Sequence, residues 1–348
     1  MESQNVKNEK ARLVSLDLLK LLAIYLVLWG HCIQQFLTSP AVDNCVYSTI
    51  YSFHMSLFMV LSGYFSGSSL SVDFHEFVRK RGLRLLLPVL SWSVLVFVMY
   101  TLCDALFPVL SLGKGDLSAN LRASFECFWF LKSLFVCYAL AWFGKRLNLA
   151  VCYWVLLTIA VSQLFPLWNV KIMYPCFLVG MLLSESSHYV RKYGNGIMVV
   201  SGCLYLFLML FWSGDFLRPA DLFGALRNGD VQSVFYQLYV RLYRIATGLS
   251  GSVALFVLFG KLFVSGERGA VAGLARWGRY TLEVYMLQTV VLEILMARFL
   301  CFDSLPVALF GFLLAPILSL AVLAVLFCII RVIYRSRFLS LVLFANGR

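Results

Sequence analysis

Apolar residues along this chain come in long blocks separated by short charged punctuation. Ten such blocks stand out, near residues 13–36, 45–67, 85–107, 125–143, 149–165, 171–184, 197–213, 244–264, 280–300 and 306–333. A helix rises 1.5 Å per residue, so about 20 apolar residues cross a hydrocarbon core of about 30 Å. Inside that core every backbone N–H and C=O must be satisfied internally, which favours helices. The pattern therefore predicts an all-α, polytopic transmembrane bundle of about ten spanning helices. The fifth and sixth blocks are short, and the sixth is the weakest. The longest polar connection, about residues 214–243, carries Asp215, Arg218, Asp221, Arg227 and Asp230 among aromatic residues, as expected of a segment along the interface. No stretch is long and polar enough for a separate soluble domain. The expectation is one integral membrane domain over residues 1–348, with a short N-terminal tail at 1–12.

Composition agrees with the pattern: 61% hydrophobic, 13% charged and a mean hydropathy of +0.85. Soluble domains run nearer 45–50% apolar and about 25% charged. Charge adds an orientation, because Lys and Arg gather on cytoplasmic loops. With the N-terminus inside, one side collects 19 of the 29 basic residues, including Arg79, Lys80, Arg81 and Arg84 in one loop. The other side receives seven: Lys114, Arg122, Lys171, Arg218, Arg227, Arg241 and Arg244. Both termini are expected in the cytoplasm. Topology accounts for much of the net charge of +12, so nucleic acid need not be invoked. The N-terminal run ESQNVKNEK precedes an apolar stretch that starts late and holds Asp17 and Lys20, unlike a cleavable signal sequence. The ten cysteines are scattered without a C-x-x-C pair, which suits buried packing better than redox or zinc chemistry.

Ionisable residues within spans carry the chemistry, since each is costly in lipid. The first block reads RLVSLDLLKLLAIYLVLWGHCIQQF. Asp17 and Lys20, three apart, can pair on one helix face. A self-neutralising pair is as good a reading as a functional one. His31 follows Lys20 by eleven residues, which returns it to the same face about 16 Å along the axis. The two must do different jobs on one stripe. Lys132 and Arg298 also fall within spans. His54 sits in the second block, in YSFHMSLFMVLSGYF. A neighbouring carbonyl could satisfy it, or it could share a cavity with His31. His75 and His188 fall in loops. The case for a metal site is weak, because the two intramembrane histidines lack suitable acidic partners in their own spans, and none is expected.

These residues carry a resemblance. An acidic residue, a cation and a histidine spaced as Asp17, Lys20 and His31 open the acyltransferase 3 family of integral membrane acyltransferases. The segment FHMSLFMVLSGYF is similar to that family's second-helix motif through Phe53, His54, Leu57, Phe58, Ser62, Gly63 and Tyr64. RKRGLRLLLPVLSW resembles its basic loop and third-helix entry through Arg81, Arg84 and Pro88, and FWFLKSLF resembles a later segment through Trp129, Phe130, Leu131 and Leu134. YPCFLVGMLL and RYTLEVYMLQ resemble two more. The matches run in order over residues 12–288. Two departures stand out: Ser56 replaces a common proline, and Gln288 replaces a histidine many members carry. Within the family the chain is most similar to fucose-acetylase-like members.

The resemblance implies a membrane-bound O-acyltransferase of the bacterial inner membrane. It would move an acetyl group from acetyl-CoA, a co-substrate rather than a resident cofactor, to a sugar hydroxyl of a surface or lipid-linked polysaccharide. His31 and His54 would be catalytic, with His31 as the base. Lys20, Arg81 and Arg84 would bind the acyl-CoA donor, where guanidinium groups suit phosphate. The Arg79–Arg84 cluster is equally well explained as topology. Asp17, Ser62, Tyr64, Trp129 and Gln288 would line the substrate pocket. The rival reading is a transporter or flippase for a lipid-linked saccharide, with the histidines relaying protons. Acceptor sugar, acyl chain and oligomeric state stay open.

Overall fold

The computed structural model describes residues 2–107, 113–165, 167–218, 222–263 and 269–346, without the side chains of residues 2–13 and 223. Among the basic and acidic residues weighed above, Lys7, Lys10, Arg12, Asp221, Arg268 and Arg348 therefore lie outside the described side chains. The described residues form helices and turns, with no strand among them.

The main helices are α1 (Glu2–Phe36), α2 (Cys45–Tyr64), α3 (Phe74–Leu106), α4 (Leu117–Glu126), α5 (Trp129–Gly144), α6 (Val151–Gln163), α7 (Val170–Glu185), α8 (Ser187–Leu210), α9 (Val231–Leu262), α10 (Ala270–Arg298), α11 (Val307–Ile333) and α12 (Arg337–Phe344). Seven are long and apolar enough to cross a membrane, and α4 with α5, bent by 56°, can make an eighth. The expected blocks at 149–165 and 171–184 are helical but reach only 13 and 16 residues. This is a multi-pass membrane protein.

Local chemistry explains several boundaries. Asn44 caps α2, its Oδ1 accepting from the N–H groups of Val46 and Tyr47. Asp230 caps α9 in the same way, accepting from the backbone and hydroxyl of Ser233 at 3.0 and 2.6 Å. Those bonds, the hydroxyl first, hold the Asp230 carboxyl below its ordinary range. The cap also corrects the reading of residues 214–243 as a polar connection. After a turn at Gly214–Leu217 and a short helix at Leu222–Arg227, α9 begins at Val231, so Arg241 and Arg244 are helical residues. At 32 residues α9 rises about 48 Å, well beyond the hydrocarbon thickness.

The chain divides into two compact units built from interleaved segments. The first contains the chain up to Gly30, Pro40–Phe65 and Lys171–Arg279. Its helices meet through small residues that let backbones approach, as membrane interfaces favour. A methyl at Gly63 would strike the Phe177 carbonyl, and one at Gly180 would strike that of Val60, so α2 and α7 press together through reciprocal glycines. Gly248 of α9 similarly makes room for the hydroxyl of Ser56 on α2. That hydroxyl stands where relatives were expected to carry proline.

The second unit contains His31–Ser39, Ser66–Val170 and Tyr280–Arg348. Here α12 docks on α3, with Trp92 Nε1 donating to the Leu343 carbonyl at 2.9 Å. Tyr334, just past the end of α11, donates to the buried Glu283 of α10 at 2.6 Å and accepts from Asn346 at 2.9 Å. Ser319 of α11 donates to the sulfur of Cys32 at 3.4 Å, tying the end of α1 into the same unit.

Candidate active site

The second unit brings His31 together with a carboxylate. His31 Nε2 lies 3.7 Å from Glu293 Oε1, within ion-pair reach once the imidazole is protonated. Both side chains are partly accessible, at 18% and 25%. Glu293 stands on a π-helical stretch of α10, Thr289–Leu295. Such i→i+5 turns are rare and gather at functional sites. The π-turn brings Gln288, five residues earlier, onto the same carboxylate. Gln288 Nε2 donates to Glu293 Oε1 at 2.8 Å and to the Thr289 hydroxyl at 3.1 Å. Thr289 Oγ1 in turn donates to Glu293 Oε1 at 3.2 Å. One carboxylate oxygen thus faces the imidazole and is held by two neutral donors. Gln288 is fully buried, and its Oε1 has no hydrogen-bond partner among the described residues.

The first unit holds the other polar part of α1. Asp17 is buried between two cations, Lys20 at 3.1 Å and Arg279 at 3.0 Å. Lys20 also lies 4.4 Å over the ring of Phe65. Gly278 lets the α10 backbone come onto the carbonyl of Asp17 itself. The expected Asp17–Lys20 pair is present, but it is two-thirds of a triad.

His54 is in the same unit and is 2% exposed. Its Nδ1 lies 2.8 Å from the Ile50 carbonyl, one helical turn back, and its ring packs on Tyr51 at 4.5 Å. A carbonyl can only accept, so Nδ1 carries the proton and Nε2 the lone pair of the neutral ring. The carbonyl reading of His54 holds, and it also fixes the tautomer. Ser62 is half-buried on α2, and Tyr64 is buried against the rings of Phe65 and Phe256.

The remaining sequence candidates lie in the second unit. Arg81 is already engaged: its Nε donates to Ser69 at 2.7 Å and its guanidinium lies 4.2 Å over the Tyr138 ring. Arg84 is exposed. Lys80 forms a surface pair with Glu76. Trp129 is half-buried at the start of α5, edge-on to Phe130. Lys132, counted only as an intramembrane cation, is buried, donates to the Phe125 carbonyl and faces the rings of Phe125 and Trp168.

Intramembrane residues in this order on one polytopic chain narrow the comparison with known proteins. The acyltransferase 3 family model, an acyltransferase domain, matches residues 13–334. The chain belongs to the acyltransferase 3 family. It is 31% identical over 187 residues to the nodulation protein NolL of Mesorhizobium japonicum, covering 49% of this chain and 48% of that protein. It is 28% identical over 221 residues to the nodulation protein NolL of Sinorhizobium fredii, covering 58% of each. The chain thus matches about half the length of these curated relatives. No solved structure matches it.

Sequence reasoning missed two partners, one in each unit. Glu293 is a carboxylate inside an apolar block, which is reason enough to single it out. Its five-residue distance from Gln288 fits no ordinary helical pairing, so the link needed the π-turn to become visible. Arg279 falls just before the apolar block at 280–300, as one more basic residue counted to the cytoplasmic side, and only the chain's return to α1 reveals it as the second cation on Asp17.

Proposed function

We propose that this acyltransferase-family chain is an O-acetyltransferase, moving an acetyl group from acetyl-CoA to a sugar hydroxyl of a cell-surface or lipid-linked polysaccharide. The observation that carries this reading is the His31–Glu293 pair, with Gln288 and Thr289 holding the carboxylate. In the proposed step, the imidazole of His31 takes the proton of the acceptor hydroxyl as its oxygen attacks the thioester carbonyl. The imidazolium so formed is stabilised by Glu293. Collapse of the tetrahedral intermediate breaks the C–S bond, and His31 returns the proton to the departing thiolate. The products are an O-acetyl ester and free CoA. General base catalysis of this kind contributes about 10²–10⁴-fold.

Other residues take supporting parts. The exposed guanidinium of Arg84 suits a phosphate of the donor, whereas Arg81 is committed to Ser69 and Tyr138. Lys20 serves chiefly to neutralise Asp17. His54, whose Nδ1 donates to the Ile50 carbonyl, is the second histidine that the family resemblance assigns to catalysis. A bacterial inner membrane with a cytoplasmic N-terminus would present Arg84 to the cytoplasmic donor pool, in line with the distribution of basic residues.

Purified protein in nanodiscs, given acetyl-CoA labelled in its acetyl group and a lipid-linked saccharide, should release CoA and yield labelled saccharide. Saccharide movement across vesicles with no CoA release would overturn the reading in favour of a transporter.

A further inference from the structure

Two arginines of α9 have no part in the chemistry above. Arg241 is 2% exposed, and its Nε, Nη1 and Nη2 have no hydrogen-bond partner among the described residues. Arg244, three residues on, is half-buried, and no hydrogen bond or ion pair holds it among the described residues. Burying a guanidinium with its five donors unmet is costly. Among the described residues, the acids of the preceding connection are engaged elsewhere: Asp215 pairs with Arg218, and Asp230 caps α9.

Position on the helix argues against lipid-facing cations. Gly248 and Ser252 lie seven and eleven residues after Arg241, which puts all three on one face. That face packs on α2, since Gly248 meets the Ser56 hydroxyl and Ser252 Oγ donates to the Phe53 carbonyl at 3.4 Å. Arg244 stands beside Arg241 on it. The pair is therefore turned towards protein.

Depth narrows the ligand. Arg241 precedes Lys261 by twenty residues, a rise of about 30 Å, equal to the hydrocarbon thickness. Around the same end of α9, Trp212, Phe216, Tyr239 and Tyr243 form an aromatic cluster, with Phe216 and Tyr243 centred 4.8 Å apart. Such belts mark the membrane–water interface. With Lys261 taken as marking one interface, this rise puts the two guanidiniums at the level of the opposite lipid phosphates. Two adjacent unmatched cations call for a ligand with about two negative charges, and guanidinium forks match phosphate oxygens bidentately.

We propose that Arg241 and Arg244 form a phosphate-binding subsite that holds the phosphate or diphosphate tethering a saccharide acceptor to its lipid. The subsite names the acceptor class for the acetyl-transfer reading and rests on it. A phospholipid headgroup shares the chemistry, so the test must separate the two sources.

Binding of a short polyprenyl diphosphate to the full chain in phosphatidylcholine nanodiscs, without acetyl-CoA, provides that test. Polyprenol is the phosphate-free control and phosphatidylglycerol the competitor. The diphosphate should bind at least about tenfold more tightly than polyprenol, and Arg241→Gln or Arg244→Gln should each weaken it about tenfold or more. Arg241→Lys should recover part of the loss. Should Arg241→Gln not yield monodisperse protein, Arg244→Gln and Arg241→Lys carry the comparison. Equal binding of diphosphate and polyprenol, or unchanged binding in the arginine variants, would overturn the subsite. Full competition by equimolar phosphatidylglycerol would make it a structural lipid site and equally overturn the acceptor assignment. Because this assay reads binding alone, intact diphosphate binding combined with failure of the separate acetyl-transfer assay would count against the transfer reading alone.

Discussion

Asp17 and His31 sit on the same helix, yet their surroundings differ in kind. Asp17 is a buried carboxylate held by two cations. The cluster is electrostatically closed, and proton exchange there would leave a charge unmatched in a poorly polarisable interior. His31 faces a carboxylate at 3.7 Å, and that carboxylate is held by an amide and a hydroxyl rather than by a cation. A proton arriving on the imidazole improves the electrostatics of the second cluster. The contrast teaches that an ionisable residue in a span is not a site by itself. What decides is whether its partners leave a protonation change favourable.

The strongest way to break the contrast is to remove each histidine or charge and read stability and turnover separately. His31→Ala should lower acetyl transfer by about 10²–10⁴-fold while the protein inserts and purifies normally. Near-normal acetylation at matched protein levels would end the assignment of His31 as base.

Next in size comes the Asp17 triad, whose variants should affect folding rather than chemistry. Lys20→Ala alone leaves Arg279 on Asp17, and Arg279→Ala alone leaves Lys20. Each single change should cost about 1 kcal/mol or less, as for accessible pairs. The double variant strands a buried carboxylate and should cost about 3–5 kcal/mol. Thermal unfolding monitored by size-exclusion would show whether the singles are mild and the double severe. Additive losses would mean that the two cations do not substitute for one another.

Glu293→Gln sharpens the other half of the comparison. It keeps the shape of the side chain but removes the charge that stabilises the imidazolium. Turnover should fall about 10–100-fold, the range for a hydrogen bond or contact to a charged group. The KM for acetyl-CoA should change little. A rise in KM with kcat intact would place Glu293 in donor binding instead.

The sequence carried the bundle because apolar blocks and helix rise leave few alternatives, and it carried His31, Asp17 and Lys20 because ionisable residues are conspicuous in apolar surroundings. It did not carry the 32-residue length of α9, which depends on a cap at Asp230 amid residues that read as a polar loop. Nor did it carry Glu293 as the partner of His31, a pairing across 262 residues that relies on a π-turn. Arg81 and Arg84 read alike in the sequence, three residues apart. Packing separates them: Arg81 is hydrogen-bonded to Ser69 and lies over the Tyr138 ring, whereas Arg84 is exposed. Arg84→Ala should accordingly raise the KM for acetyl-CoA by up to about tenfold at constant kcat, with Arg84→Lys restoring part of it. Arg81→Ala should instead lower the yield of folded protein.

The smallest expected effect lies just beyond the His31 cluster. Asp303 clasps the chain end of α1, its carboxylate accepting from the Thr38 N–H and hydroxyl, both at 2.8 Å. The Phe302 N–H donates to the Phe36 carbonyl beside it, at 2.9 Å. The clasp joins the segment following His31 to the segment following Glu293, so it helps fix the spacing of the pair. The Thr38 backbone bond, then the Cys301 thiol and the Thr38 hydroxyl, hold the Asp303 carboxyl below its ordinary range. A depressed carboxyl stabilises the fold above its unfolded value, about 3.9, and loses that contribution as pH falls through the folded one. Asp303→Asn should therefore reduce thermal stability slightly at pH 7, with turnover down by no more than a few-fold. The gap in Tm between variant and native protein should shrink as the pH is lowered below about 4. A gap that stays constant across that range would show that the asparagine disturbs packing, and that the carboxylate charge is not what holds the clasp.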